Sequence, residues 1–202
     1  MNAEPADLAA LAGRSPSGRA DTLRTHQRLI SAVRAWVHEH DAPPERLTDV
    51  AALAGVSTAT AYRHFASVDD VIQAFVLQLP TRSVELFDAS GGPGDDALES
   101  FARWNESWVT ACLEHGPLAV HLRSSQGFLQ RRDEGDPVIA YACATIEPLL
   151  DALAGDTTMM LFTWNVTSDP REVLDLHRMG STPTQIAEEP PRPWLATVRA
   201  AT

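Results

Sequence analysis

From Leu23 onward the apolar positions recur at helical spacing, and no apolar–polar alternation longer than a few residues suggests a strand. Leu23, Ile30, Val33 and Val37 mark one face, widened by Leu29 and Trp36, and the breaker Asp41-Ala42-Pro43-Pro44 ends that helix near His40. Two short helices follow. In the first, capped by Thr48, residues Val50, Ala51 and Ala54 face inward; Gly55 permits a tight turn, Val56 plugs it, and Ser57 caps a second helix ending near His64. Val71, Ile72, Phe75, Val76 and Leu79 stripe a fourth helix, which Pro80 is expected to end. Beyond it the pattern predicts helices over 82–89, 96–114, 117–130, 136–154, 156–168 and 170–178, with a Gly-Gly-Pro-Gly break at 91–94. The expected fold is all-α, a three-helix helix-turn-helix unit followed by a helical bundle. Its expected parts are a flexible arm over 1–21, the helix-turn-helix over 22–68, the bundle over 69–187 and a tail over 188–202.

The small residues Ala51, Ala54, Ala59 and Ala61 let the two short helices cross closely, the geometry in which a second helix offers its early side chains to a DNA major groove. Thr58, Thr60, Tyr62, Arg63 and His64 supply hydroxyl, guanidinium and imidazole groups there; Arg63 suits a guanine edge or a phosphate. A solvated helix face is the plainer reading of the same residues. Phe65 reads as core.

The string Thr48, Val50-Ala51, Ala54-Gly55-Val56-Ser57, Tyr62-Arg63-His64-Phe65 and Ser67 resembles the signature of the TetR family of transcriptional regulators. The segment Asp169 to His177 resembles the family's C-terminal region more loosely. The resemblance implies a homodimer on palindromic double-stranded DNA, released by a small-molecule effector bound in the C-terminal bundle. It also implies phosphate contacts from Thr48 and Tyr62, with Ser57 at the start of the recognition helix. After the Phe-x-Ser turn the family often carries a phosphate-binding lysine; this chain has Val68 followed by Asp69 and Asp70.

The net charge of −11 argues against a nucleic-acid partner only until its distribution is read. Residues 13–68 hold seven arginines against five acids, whereas 81–202 hold nine against eighteen. Phosphate binding needs local positive potential. The chain has no lysine, so phosphate contacts would rely on guanidinium, hydroxyl and backbone donors. Arg14 and Arg19 in the arm could reach a minor groove, an unstructured leader being the plainer reading. No export signal or membrane-spanning run is visible, which predicts a cytoplasmic protein with no membrane partner.

In the bundle, Trp104 and Trp108 lie one turn apart, and with His121, Phe128, Met159 and Met160 they form the candidate ligand pocket; core packing competes with that role. Ile139, Ala142, Ile146, Leu149, Leu150 and Leu153, with Leu161 and Trp164, suit either a dimer interface or an intramolecular core. Cys112 and Cys143 read as buried thiols; Cys112 with His115 offers two metal ligands but no third. No catalytic motif is present, so neither an enzyme nor a cofactor is expected. The rival reading is a helical scaffold whose helix-turn-helix no longer engages DNA. Trp194, in the Pro-rich tail, could pack back on the body.

Overall fold

The first helix, α1 (Pro16–His40), begins inside the expected arm rather than after it. Proline at a helix start forfeits an amide that would be unpaired anyway, and the Asp21–Arg24 pair supports the next turn. The chain leaves α1 through Asp41 at φ 48°. The computed structural model describes residues 16–123, 126–153, 156–189 and 191, and among them all regular structure is helical with no strand, the expected all-α fold. Arg14 and Trp194 lie outside the described residues, as does the side chain of Arg19.

The helix-turn-helix consists of α2 (Leu47–Leu53) and α3 (Thr58–His64). Arg46, not Thr48, holds the cap position of α2; it makes no side-chain cap and instead grips Asp49 through bonds of 3.0 and 3.1 Å. Thr48 is left exposed in the first turn. Gly55 turns at φ 64°, and Ser57 Oγ accepts the Thr60 amide at 3.1 Å to cap α3.

Ser67 and Asp70 close a reciprocal capping box at the start of α4 (Val68–Val76). Pro80 opens the next helix, α5 (Leu79–Ala89), instead of ending α4. A proline sits as well in a first helical turn as just beyond a last one. Asp96 caps α6 (Ala97–His115), which ends on Gly116. The single helix expected over 117–130 is a 3-10 segment, Gly116–Leu122, and a separate α7 (Phe128–Asp133), with Gly127 extended before it. Then come α8 (Pro137–Asp151), α9 (Thr157–Thr167) and α10 (Pro170–Arg178), each capped by an aspartate. The sequence reading missed α11 (Pro183–Glu188), although Thr182 and Gln185 form a capping box around Pro183.

Two cores organise these helices. Leu29, Val33, Val50, Ala61, Val71 and Phe75 belong to the first, so α4 packs with the helix-turn-helix. The second gathers Phe87, Phe101, Trp104, Trp108, Ile146, Leu150, Leu161 and Trp164 from the helices beyond. The 116–122 segment serves both: Leu118 is buried in the first core and its neighbour Ala119 in the second.

Candidate nucleic-acid interface and interior cavity

Helix α3 buries one residue, Ala61, and turns Thr58, Ala59, Tyr62 and Arg63 to solvent. Tyr62 is 53% exposed, large for an aromatic side chain. Arg63 Nη2 donates to Thr60 Oγ1 at 3.1 Å, and Ser57 Oγ lies 2.8 Å from the same hydroxyl, so three polar groups form one local string. His64 is half-buried, its ring 6.2 Å from that of His26. Thr48 is exposed at the start of α2. Every DNA-facing candidate thus has its polar group at or near the surface of the same two helices.

Sequence reasoning missed the brace behind them. Arg28 reaches from α1 and donates through Nη2 to the carbonyls of Ala54 and Gly55, at 2.6 and 3.2 Å. These carbonyls end α2, where no helical amide is available to them. Nearby, His26 stacks on Phe65 at 4.6 Å, so α1 fixes both ends of α3.

Arg46 pairs with Asp49 on this side of the molecule, whereas Asp69 and Asp70 occupy the first turn of α4, where the helix dipole favours negative charge. Asp70 is therefore occupied by the backbone that it caps.

A cavity of about 500 Å³ opens in the second core. Of the six pocket candidates only Trp108 and Phe128 line it. Trp104 is wholly buried against Phe87 and Trp164, Met160 is core, His121 is exposed, and Met159 is 60% exposed on the outer surface. Three residues expected at a dimer interface, Ile139, Ala142 and Trp164, line it instead. Indeed Ile139, Ala142, Ile146, Leu149, Leu150, Leu153, Leu161 and Trp164 are all intramolecular core, none more than 6% exposed. Helical spacing identifies an apolar face but not what covers it.

The polar side of the cavity was not foreseen. Arg123 pairs with Asp169 at 2.9 Å, and Arg171 reaches the same carboxylate at 2.7 Å. Burial acts to raise the Asp169 carboxyl, but bonds from the Arg171 side chain and amide, with the charge of Arg123, hold it below the usual range. Arg131 pairs with Asp136 at 2.9 Å. Asn105 ties α6 to the far helices: its Oδ1 accepts from Trp164 Nε1 at 3.2 Å and from Ser168 Oγ at 3.0 Å, and its amide donates to the Ala187 carbonyl.

Cys112 and Cys143 are free and buried, and burial pushes the Cys143 thiol up to about 12. His115 directs Nδ1 to the Ala111 carbonyl at 2.8 Å, and no group of three metal-ligating side chains occurs among the described residues. No helix among them is long and apolar enough to cross a membrane.

No protein-family model matches the chain, and no curated protein matches it. Solved structures do. The fatty acid degradation regulator FadR from Bacillus halodurans superposes with a TM-score of 0.59 at 16% identity, over 92% of this chain and 95% of that one. A TetR family repressor, AlkX from Dietzia sp., covers 85% of this chain and 97% of its own at 21% identity and a TM-score of 0.46. The chain shares the fold of the fatty acid degradation regulator, and in it a helix-turn-helix precedes an all-helical body.

Proposed function

We propose that the protein is a sequence-specific DNA-binding regulator that acts as a homodimer and is released from its operator by a small-molecule effector. The observation that carries this reading is the outward face of α3. Ser57 caps the helix, Arg28 braces its turn, and Thr58, Tyr62 and Arg63 face solvent beside Thr48 and the partly exposed His64. Those groups match what a helix needs to read base edges while its neighbour grips phosphate. The likeness in fold to a fatty acid degradation regulator supports the same reading.

One recognition helix reads only a few base pairs, so specific binding calls for a pair related by two-fold symmetry. The expected interface stripe is internal, and the dimer contact moves to the opposite faces of the same helices. Tyr141, Ala144 and Pro148 are exposed along α8, and Met159, Phe162 and Val166 along α9. Both sets follow i, i+3, i+7 spacing, the seam of a helix pair that packs against a copy of itself.

The cavity is the effector site in this reading. Leu122 and Arg123 line it, and the 116–122 segment to which Leu122 belongs puts Leu118 into the DNA-binding core. A ligand that prefers one position of this segment biases the placement of α1 and α4, and hence the spacing of two recognition helices.

A gel shift with the DNA flanking the protein's own gene tests the proposal. Sequence-specific retention that Tyr62→Ala with Arg63→Ala abolishes, helical content unchanged, is the expected result. Retention that survives both changes removes α3 as the reading element.

A further inference from the structure

We infer that the cavity takes a monocarboxylate with an apolar body, its carboxylate bound at Arg123; the inference rests on the cavity being the effector site proposed above. The lining divides into two unequal parts. Trp108, Trp164, Phe128 and Ile139 offer carbon surface. The indole nitrogens are already committed within the protein: Trp108 Nε1 donates to the Ser168 carbonyl at 2.8 Å, and Trp164 Nε1 to Asn105 Oδ1 at 3.2 Å. A ligand therefore meets these side chains only as apolar faces.

Arg123 is different. Its Nη1 donates to Asn165 Oδ1 at 2.6 Å, and its Nη2 to the Asn165 carbonyl at 2.7 Å and to Asp169 at 2.9 Å. Its Nε is buried and has no partner. Among the described residues, the other buried side-chain donors or acceptors without a partner are on Trp36, Trp104 and His115, none of which lines the cavity. An unmet guanidinium N–H shielded from water carries a desolvation cost, which a ligand acceptor that reaches it removes.

Charge selects among acceptors. Asp169 is shared by Arg123 and Arg171, so one carboxylate answers two guanidiniums and neutralises Arg123 only in part. Arg131 is matched by Asp136, and Arg171 and Glu172 are both exposed at the rim, where water screens them alike. An anionic oxygen at Nε gains a charge-assisted bond where a neutral carbonyl gains an ordinary one. A cationic head would face the Arg123 guanidinium. A volume of about 500 Å³ fits one compact ligand.

The test is isothermal titration of the full chain at neutral pH with two shape-matched pairs, naphthaleneacetate against naphthaleneacetamide and decanoate against decanamide. At least one acid should bind about tenfold or more tightly than its amide, a preference that Arg123→Gln removes and Arg123→Lys reduces. Equal or tighter binding of the amides overturns the inference, as does a preference that survives Arg123→Gln, or no binding by either pair. Should Arg123→Gln fail to fold, the acid–amide comparison on the native chain decides. Acids that bind as expected yet leave an operator complex intact in the gel shift overturn the regulatory reading and not the ligand chemistry. Operator binding without acid binding does the reverse.

Discussion

The imidazole of His115 lies on the ring of Phe75, 4.4 Å between centroids and 21° between planes, and so seats the last turn of α6 on α4. The histidine is fully buried and its Nε2 has no partner. Burial lowers its pKa from the ordinary 6.5, opposed by the bond to the Ala111 carbonyl; Arg34, over the other ring, lowers it further, and Glu114 acts the other way. A proton here would place beside Phe75 a charge that burial disfavours.

Stability therefore depends on pH in a defined direction. Near 6.5 the unfolded chain binds the proton first, so stability is full above that value and falls as pH drops toward the lower folded value. His26, lowered by burial as well, acts in the same window. Glu114, Asp136 and Asp169, whose folded values are depressed, lose their contribution only below the ordinary carboxylate range. Urea midpoints should fall between about pH 7 and pH 5.5, the range flanking the imidazole value, and His115→Phe should flatten that slope. Identical slopes for the two proteins would rule out His115 as the source.

Arg28 is predicted to matter twice. Replacing it by Ala removes charge-assisted bonds to two carbonyls at the turn before α3, a loss of about 1–2 kcal/mol at a partly exposed site. Operator affinity should fall by more than the stability loss accounts for, because the turn that aims α3 is loosened. Equilibrium denaturation and DNA anisotropy on the same variant separate the two effects.

Two glycines with positive φ should respond differently to alanine. Gly116 sits at φ 55°, ψ −145°, and an added Cβ would lie 2.8 Å from Val37 Cγ1, so strain and overlap combine. Gly180, at φ 99°, has nothing within 4 Å of an added Cβ and would suffer backbone strain alone. The first substitution should cost about 2–4 kcal/mol and the second about 1–2, read from denaturant midpoints. Equal losses would show that Val37 yields freely.

Charge on the outer seam should separate the subunits. Met159→Glu with Phe162→Glu alters side chains 60% and 48% exposed, so the fold should survive while light scattering reports a monomer and specific DNA retention is lost. A variant that remains a dimer would place the contact elsewhere.

Residues whose roles are local were legible in the sequence. Ser57 caps the amide three residues ahead and Gly55 supplies one dihedral angle, so short spacing sufficed to find them. Pro80 was misread because proline punctuates helix starts as well as helix ends. The cavity could not be read at all. Ile139, Ala142 and Trp164 show the same periodicity whether they meet a ligand, a core or a second chain, and Arg123 meets Asp169 only when α10 folds back against the 116–122 segment. Arg28 was hidden for a related reason, since its partners are backbone carbonyls, which have no signature in sequence.

Leu118 lies far along the chain from the helix-turn-helix whose core it completes. The helix-turn-helix unit is therefore not a contiguous module. A chimera that joins residues up to the end of α4 to a foreign body would leave that core without Leu118, and grafting requires the 116–122 segment to travel with the helix-turn-helix. Side chains on the outer face of α3, by contrast, can change without disturbing the joint.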